Sequence, residues 1–112
     1  MAKTALAMRD PLYEQCCYHA QQCAEKYLKG YLKSKNIAFR WVHDLQYLVE
    51  LCGTCDPSFV KLASDAEMLT RLAEPSRYPM PAEMEISAPQ ARAAMQVANL
   101  VRSAVLSKME EP

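Results

Sequence analysis

Apolar residues recur every three to four positions along several long stretches of this chain, and no stretch sustains an alternation of period two. Glycine, which would break helices, occurs only twice. The pattern predicts an all-α fold, an antiparallel up-and-down bundle of four to five helices. The first helix should open at Asp10-Pro11, a capping carboxylate followed by a residue whose φ is already helical, and run to about Ser34. Its inner stripe reads Tyr13, Cys17, Ala20, Ala24, Tyr27 and Tyr31, widened by Leu28 and Leu32. Gln15, His19, Gln22, Lys26, Lys29 and Lys33 mark another face, and the small residues at mid-helix invite close approach by a neighbour.

A shorter helix should follow Asp44, with Leu45, Leu48, Val49 and Cys52 as its seam and Gly53 as its end. Asp56-Pro57 repeats the cap-plus-proline start, and Phe59, Leu62, Ala66, Leu69 and Ala73 carry a third helix towards Pro75. Pro75, Pro79 and Pro81 then forbid helix, so the chain is expected to cross the bundle there as an ordered loop. Ser87 and Gln90 form a capping box that starts the last helix, whose stripe is Ala91, Ala94, Met95, Ala98, Val101 and Val105, ending near Lys108.

Composition narrows the picture. A length of 112 residues suits a single domain over 1–112, and 51% hydrophobic against 23% charged residues is enough apolar material for a core. Thirteen basic and thirteen acidic residues cancel, so any grip on nucleic acid must come from a local patch. No apolar run approaches a membrane span, and the opening MAKTALAMRD is too short in apolar residues for a secretory signal, which makes the cytoplasm the expected compartment. Five cysteines, an odd number set mostly in helical patterns, fit reduced thiols. Cys52 and Cys55 have the spacing of half a zinc site, but no second pair completes it, so neither metal nor cofactor is expected.

Three strings carry more information. CYHAQQCAEKYLKGYL lies in the first helix, His43-Asp44-Leu45 opens the second, and Arg77-Tyr78-Pro79 sits in the proline-rich loop. In that order they resemble the HEPN family, whose members carry F-H-A-Q-Q-A-A-E-K-A-L-K-A-L-L, then H-D-L, then R-Y-P. The resemblance covers roughly residues 13 to 107. It implies a bundle of four or five helices that pairs into a two-fold homodimer and works beside a minimal nucleotidyltransferase, as half of a toxin–antitoxin or nucleotide-handling pair. Many members of the family are ribonucleases that use an arginine and a histidine four to six residues apart near the last helix. This chain departs from that pattern: its only histidines are His19 and His43, Arg40 lies three residues before His43, and the last helix holds Arg92 and Arg102 without a histidine.

Cleavage of RNA by its 2′-hydroxyl needs a group that takes a proton near neutral pH and a cation for the developing phosphorane charge. Without that pair the expectation is a non-catalytic binding subunit. The alternatives are a ribonuclease with a non-standard active centre and a dimeric interaction module with no ligand. His19, Gln22 and Lys26, at i, i+3 and i+7 on one side of the first helix, are candidates for contact with a phosphate or base edge, with Arg77 reaching in from the loop. His43, Asp44 and Tyr78 complete the candidate ligand set. Each has a plainer reading: His19 and Gln22 as cross-bundle hydrogen-bonders, Glu25 with Lys29 as a solvent-exposed i, i+4 pair, His43-Asp44 as a helix cap, Tyr78 docked on the bundle. The tyrosines of the first two helices read as core and interface anchors, since no basic stripe runs between them.

Overall fold

In a computed structural model of the protein, residues 11–42, 44–73 and 86–109 are described. They form helix α1 (Pro11–Ser34), helix α2 (Leu45–Cys55), a 3₁₀ segment (Pro57–Leu62) that runs directly into helix α3 (Ala63–Ala73), and helix α4 (Ala88–Met109), with no strand among them. The all-α bundle is therefore present. Asp10 and the segment around Pro75, Pro79 and Pro81, expected from the sequence to cross the bundle, lie outside the described residues.

α1 ends where the sequence lets it. Asn36 adopts a left-handed φ of 58°, the Ile37 N–H donates to the Leu32 carbonyl at 2.9 Å, and the Asn36 N–H donates to Lys33 at 3.0 Å. This is a Schellman closure with asparagine in the place glycine usually takes, and Ile37 folds back against the core beyond it. α4 begins at the expected box: the Ser87 N–H donates to Gln90 Oε1 at 2.8 Å, and the Gln90 N–H donates to Ser87 Oγ at 3.3 Å.

The core gathers Cys17, Ala24, Leu28, Tyr31 and Leu32 of α1 with Leu45, Leu48, Val49 and Cys52 of α2, Phe59, Leu62, Ala66 and Leu69 beyond them, and Ala94, Val97, Val101 and Val105 of α4. The Tyr31 and Phe59 rings meet at 4.8 Å between centroids, tying the end of α1 to the 3₁₀ segment. Residues 16–23 of α1 face residues 95–99 of α4, and further along Arg102 Nε donates to Tyr27 Oη at 3.2 Å. The two long helices thus run side by side in the same sense, a departure from strict alternation that this pair alone makes evident.

Three expected details differ. α2 passes through Gly53 and ends at Cys55; the glycine is there for space, because a Cβ on it would come within 2.8 Å of Val60 Cγ2. The segment after Asp56-Pro57 starts as 3₁₀ and becomes α-helical only at Ala63. On α4 the stripe turns by part of a residue step, so that Met95 is half exposed while Val97 is buried.

Candidate functional site

Helical spacing sets out one line of side chains along α1. His19, Gln22, Lys26, Lys29 and Lys33 recur at i, i+3, i+7, i+10 and i+14, which places them along one line of the helix. His19 and Lys26 are exposed and Gln22 half-buried, opposite the core-facing Cys17, Ala24 and Leu28. Three candidates read from the sequence, His19, Gln22 and Lys26, therefore share a face. They do not share surroundings.

His19 stands at the α4 side of the line. With Cys16, Ala20, Cys23, Met95, Ala98 and Asn99 it lines an open, mainly apolar groove of about 290 Å³ between α1 and α4. Its ring meets that of Tyr18 edge-on, with centroids 5.9 Å apart. Gln22 turns to the other side. Its Nε2 donates to Gln21 Oε1 at 3.0 Å, Gln21 Nε2 donates to Glu25 Oε1 at 3.3 Å, and Lys29 Nζ donates to Glu25 Oε2 at 2.7 Å.

This ladder corrects the reading of Glu25 and Lys29 as a solvent-exposed pair, since their side chains are only 7% and 8% exposed. Burial raises the stakes of such a pair, because each charge has given up water and depends on the other. The ammonium finds a further partner in Trp41, whose ring centroid lies 3.8 Å from Lys29 Nζ.

The segment that links α1 to α2 holds that tryptophan. The Val42 N–H donates back to the Arg40 carbonyl at 2.9 Å, closing a tight turn about Trp41, and the Phe39 and Trp41 rings lie nearly parallel at 6.4 Å. Arg40 is anchored twice to Tyr47 of α2: its N–H donates to Tyr47 Oη at 3.1 Å, and its guanidinium sits 4.5 Å above the ring. That backbone donor, reinforced by the guanidinium, lowers the Tyr47 phenol pKa below its ordinary value.

Asp44 turns out to be a cap. Its Oδ1 accepts from the Gln46 N–H at 3.0 Å and the Tyr47 N–H at 3.4 Å, satisfying two of the free donors at the start of α2. His43, Arg77 and Tyr78 lie outside the described residues. Asp56 plays the part of Asp44 for the 3₁₀ segment, accepting from the Ser58 N–H and Oγ–H at 3.0 and 2.8 Å, and its second oxygen meets Lys108 Nζ at 3.1 Å.

The cysteines divide by depth. Cys17 and Cys52 are core thiols whose pKa values burial pushes up to about 11 and about 12, and Cys52 Sγ donates to the Leu28 carbonyl at 3.8 Å. Cys55 is exposed three residues on, and no cluster of three or more histidine, cysteine or acidic side chains able to hold a metal occurs among the described residues.

Sequence reasoning missed Trp41 and the ladder under it. The available signal was Gln21, Glu25 and Lys29 at i, i+4 and i+8, bordering the core stripe rather than the solvent face.

The described residues thus form a helical bundle whose first helix carries a polar, partly buried line. The HEPN domain family model matches residues 1–109, nearly the whole chain, and the chain belongs to that family. Comparison with curated proteins and with solved structures gives no match. No helix among the described residues is long and apolar enough to cross a membrane.

Proposed function

We propose that this chain is a non-catalytic HEPN subunit, a homodimer that works beside a minimal nucleotidyltransferase and engages a nucleotide, in a toxin–antitoxin-like or nucleotide-handling pair. The observation that carries the reading is the placement of its proton-transfer chemistry. α4 bears Arg92 and Arg102 and no histidine, Arg102 is engaged with Tyr27, and His19 stands on α1. An arginine and a histidine four to six residues apart, the pairing by which related domains cut RNA, is not available on that helix, so binding is the simpler use of the fold. Exposed Tyr18, Met95 and Leu100 add apolar surface along the two long helices of the kind a second copy would cover.

Affinity capture from the native host, followed by identification of the co-purifying proteins, tests the partner. Recovery of a nucleotidyltransferase is expected, together with a rise in melting temperature when nucleotides are added to the purified protein. Recovery of none, with no nucleotide shifting the melting temperature, contradicts the reading. Cleavage of mixed RNA by the purified protein, lost in Lys26→Ala, would replace it with the ribonuclease alternative.

A further inference from the structure

We propose that Trp41 is a stacking platform for the base of a nucleotide or of single-stranded RNA, with Lys26, Lys33 and Arg40 set around it to meet the phosphates. The inference deepens the nucleotide half of the proposed function and rests on it there; the nucleotidyltransferase partner plays no part in it.

Trp41 is 75% exposed, an unusual cost for the largest apolar side chain in the alphabet. It is nonetheless held in place. The turn closed between Val42 and Arg40 fixes its backbone, Phe39 packs parallel to it, and the Lys29 ammonium lies against its ring. A ring immobilised in this way loses little freedom when a second flat group is laid on it, which is what makes an aromatic side chain an effective platform.

The surroundings choose the ligand. From Glu25 to Asp44 the intervening chain carries Lys26, Lys29, Lys33, Lys35 and Arg40 and no acidic residue, although the whole protein is neutral. Lys29 is matched by Glu25, and Lys35 leans over Tyr31 with Nζ 5.6 Å from its centroid. Lys26 and Lys33 are exposed, one helical turn to either side of the lysine beneath Trp41, and exposed Arg40 is its chain neighbour. Arg40 keeps edge N–H donors while its face rests on Tyr47. An exposed aromatic ring within a stretch of chain that carries five cations and no carboxylate fits a base that carries phosphate.

The chain has one tryptophan, so its intrinsic fluorescence reports on this residue alone. The purified full-length protein is titrated at low salt with an adenylate RNA decamer, with AMP and with inorganic phosphate. Quenching by the decamer and not by phosphate is expected, with affinity falling as salt rises. Quenching by AMP at comparable concentration assigns the platform to free nucleotide instead of RNA. Trp41→Ala should weaken binding by fluorescent-labelled decamer about tenfold or more, and Trp41→Phe by less, with helical circular dichroism unchanged in both. Lys33→Glu should lower the affinity while leaving the Trp41 signal intact in the free protein.

Binding that leaves Trp41 emission unchanged, or that is equal in wild type and Trp41→Ala, overturns the platform while the nucleotide reading stands. Quenching by phosphate alone also overturns it, as a charge effect without stacking. Absence of any binding overturns both and leaves Trp41 to a protein partner.

Discussion

The two flanks of α1 bury their surface by opposite means. Toward α4 the helix presents Cys16, Ala20 and Cys23, small groups against Met95 and Ala98, and the fit is loose enough to leave a groove of about 290 Å³. Away from α4 it buries Gln21, Glu25 and Lys29, whose polar atoms are joined in sequence and closed over by Trp41. An open apolar groove has room for a larger side chain; a buried ladder of charges tolerates neither the loss of a member nor exposure of one alone. The polar flank should therefore be the more brittle of the two.

The sharpest way to break the comparison is to remove one charge. Glu25→Ala strands the Lys29 ammonium and should cost roughly 3 kcal/mol in urea unfolding, whereas Glu25→Leu combined with Lys29→Met should recover most of that loss. Equal loss in the single and double variants would mean that the pair is not electrostatically coupled.

Size changes probe the other flank. Ala24 is fully buried in the core, so Ala24→Leu should destabilise by about 2 kcal/mol, while Ala98→Leu, which can grow into the groove, should cost under about 1 kcal/mol. Reversal of that order would show that the groove closes in solution.

The capping aspartates give the smaller effects. Asp44→Ala removes the acceptor at the head of α2, beside the segment that carries Trp41, and should cost about 1 kcal/mol. Asp56 ties the 3₁₀ segment to α4, and the Ser58 hydroxyl and N–H, with Lys108 behind them, hold its carboxyl below the ordinary value of 3.8. Because the folded-state value is depressed, this contribution is complete above pH 3.8 and disappears as pH falls through the lowered value. Asp56→Asn should accordingly flatten the acid side of a melting-temperature profile slightly and leave its neutral limb parallel to wild type.

Much of this was legible in the sequence, for local reasons. Ser87 with Gln90 and Asp44 with its following N–H groups are short-range chemistry, and each start fell where expected. Gly53 misled because a glycine after an apolar seam resembles a helix end, and only the approach of Val60 from the next segment shows why it lies inside the helix. Lys29 misled more seriously. A lysine four residues after a glutamate on a helix looks solvent-facing, and its burial depends on Trp41, twelve positions away, folding back over it. Of the candidate site, His19, Gln22 and Lys26 do share one line of α1, but the structure splits their neighbours between the groove and the ladder. Asp44 belongs to the helix start.

Lys29 holds Trp41 in place, and the time-resolved fluorescence anisotropy of that single tryptophan measures this directly. In Lys29→Met the indole should gain fast local motion, with helical circular dichroism retained. An unchanged anisotropy decay in a folded Lys29→Met protein would show that the ladder does not fix the ring, and the contrast between the two flanks would lose its functional meaning.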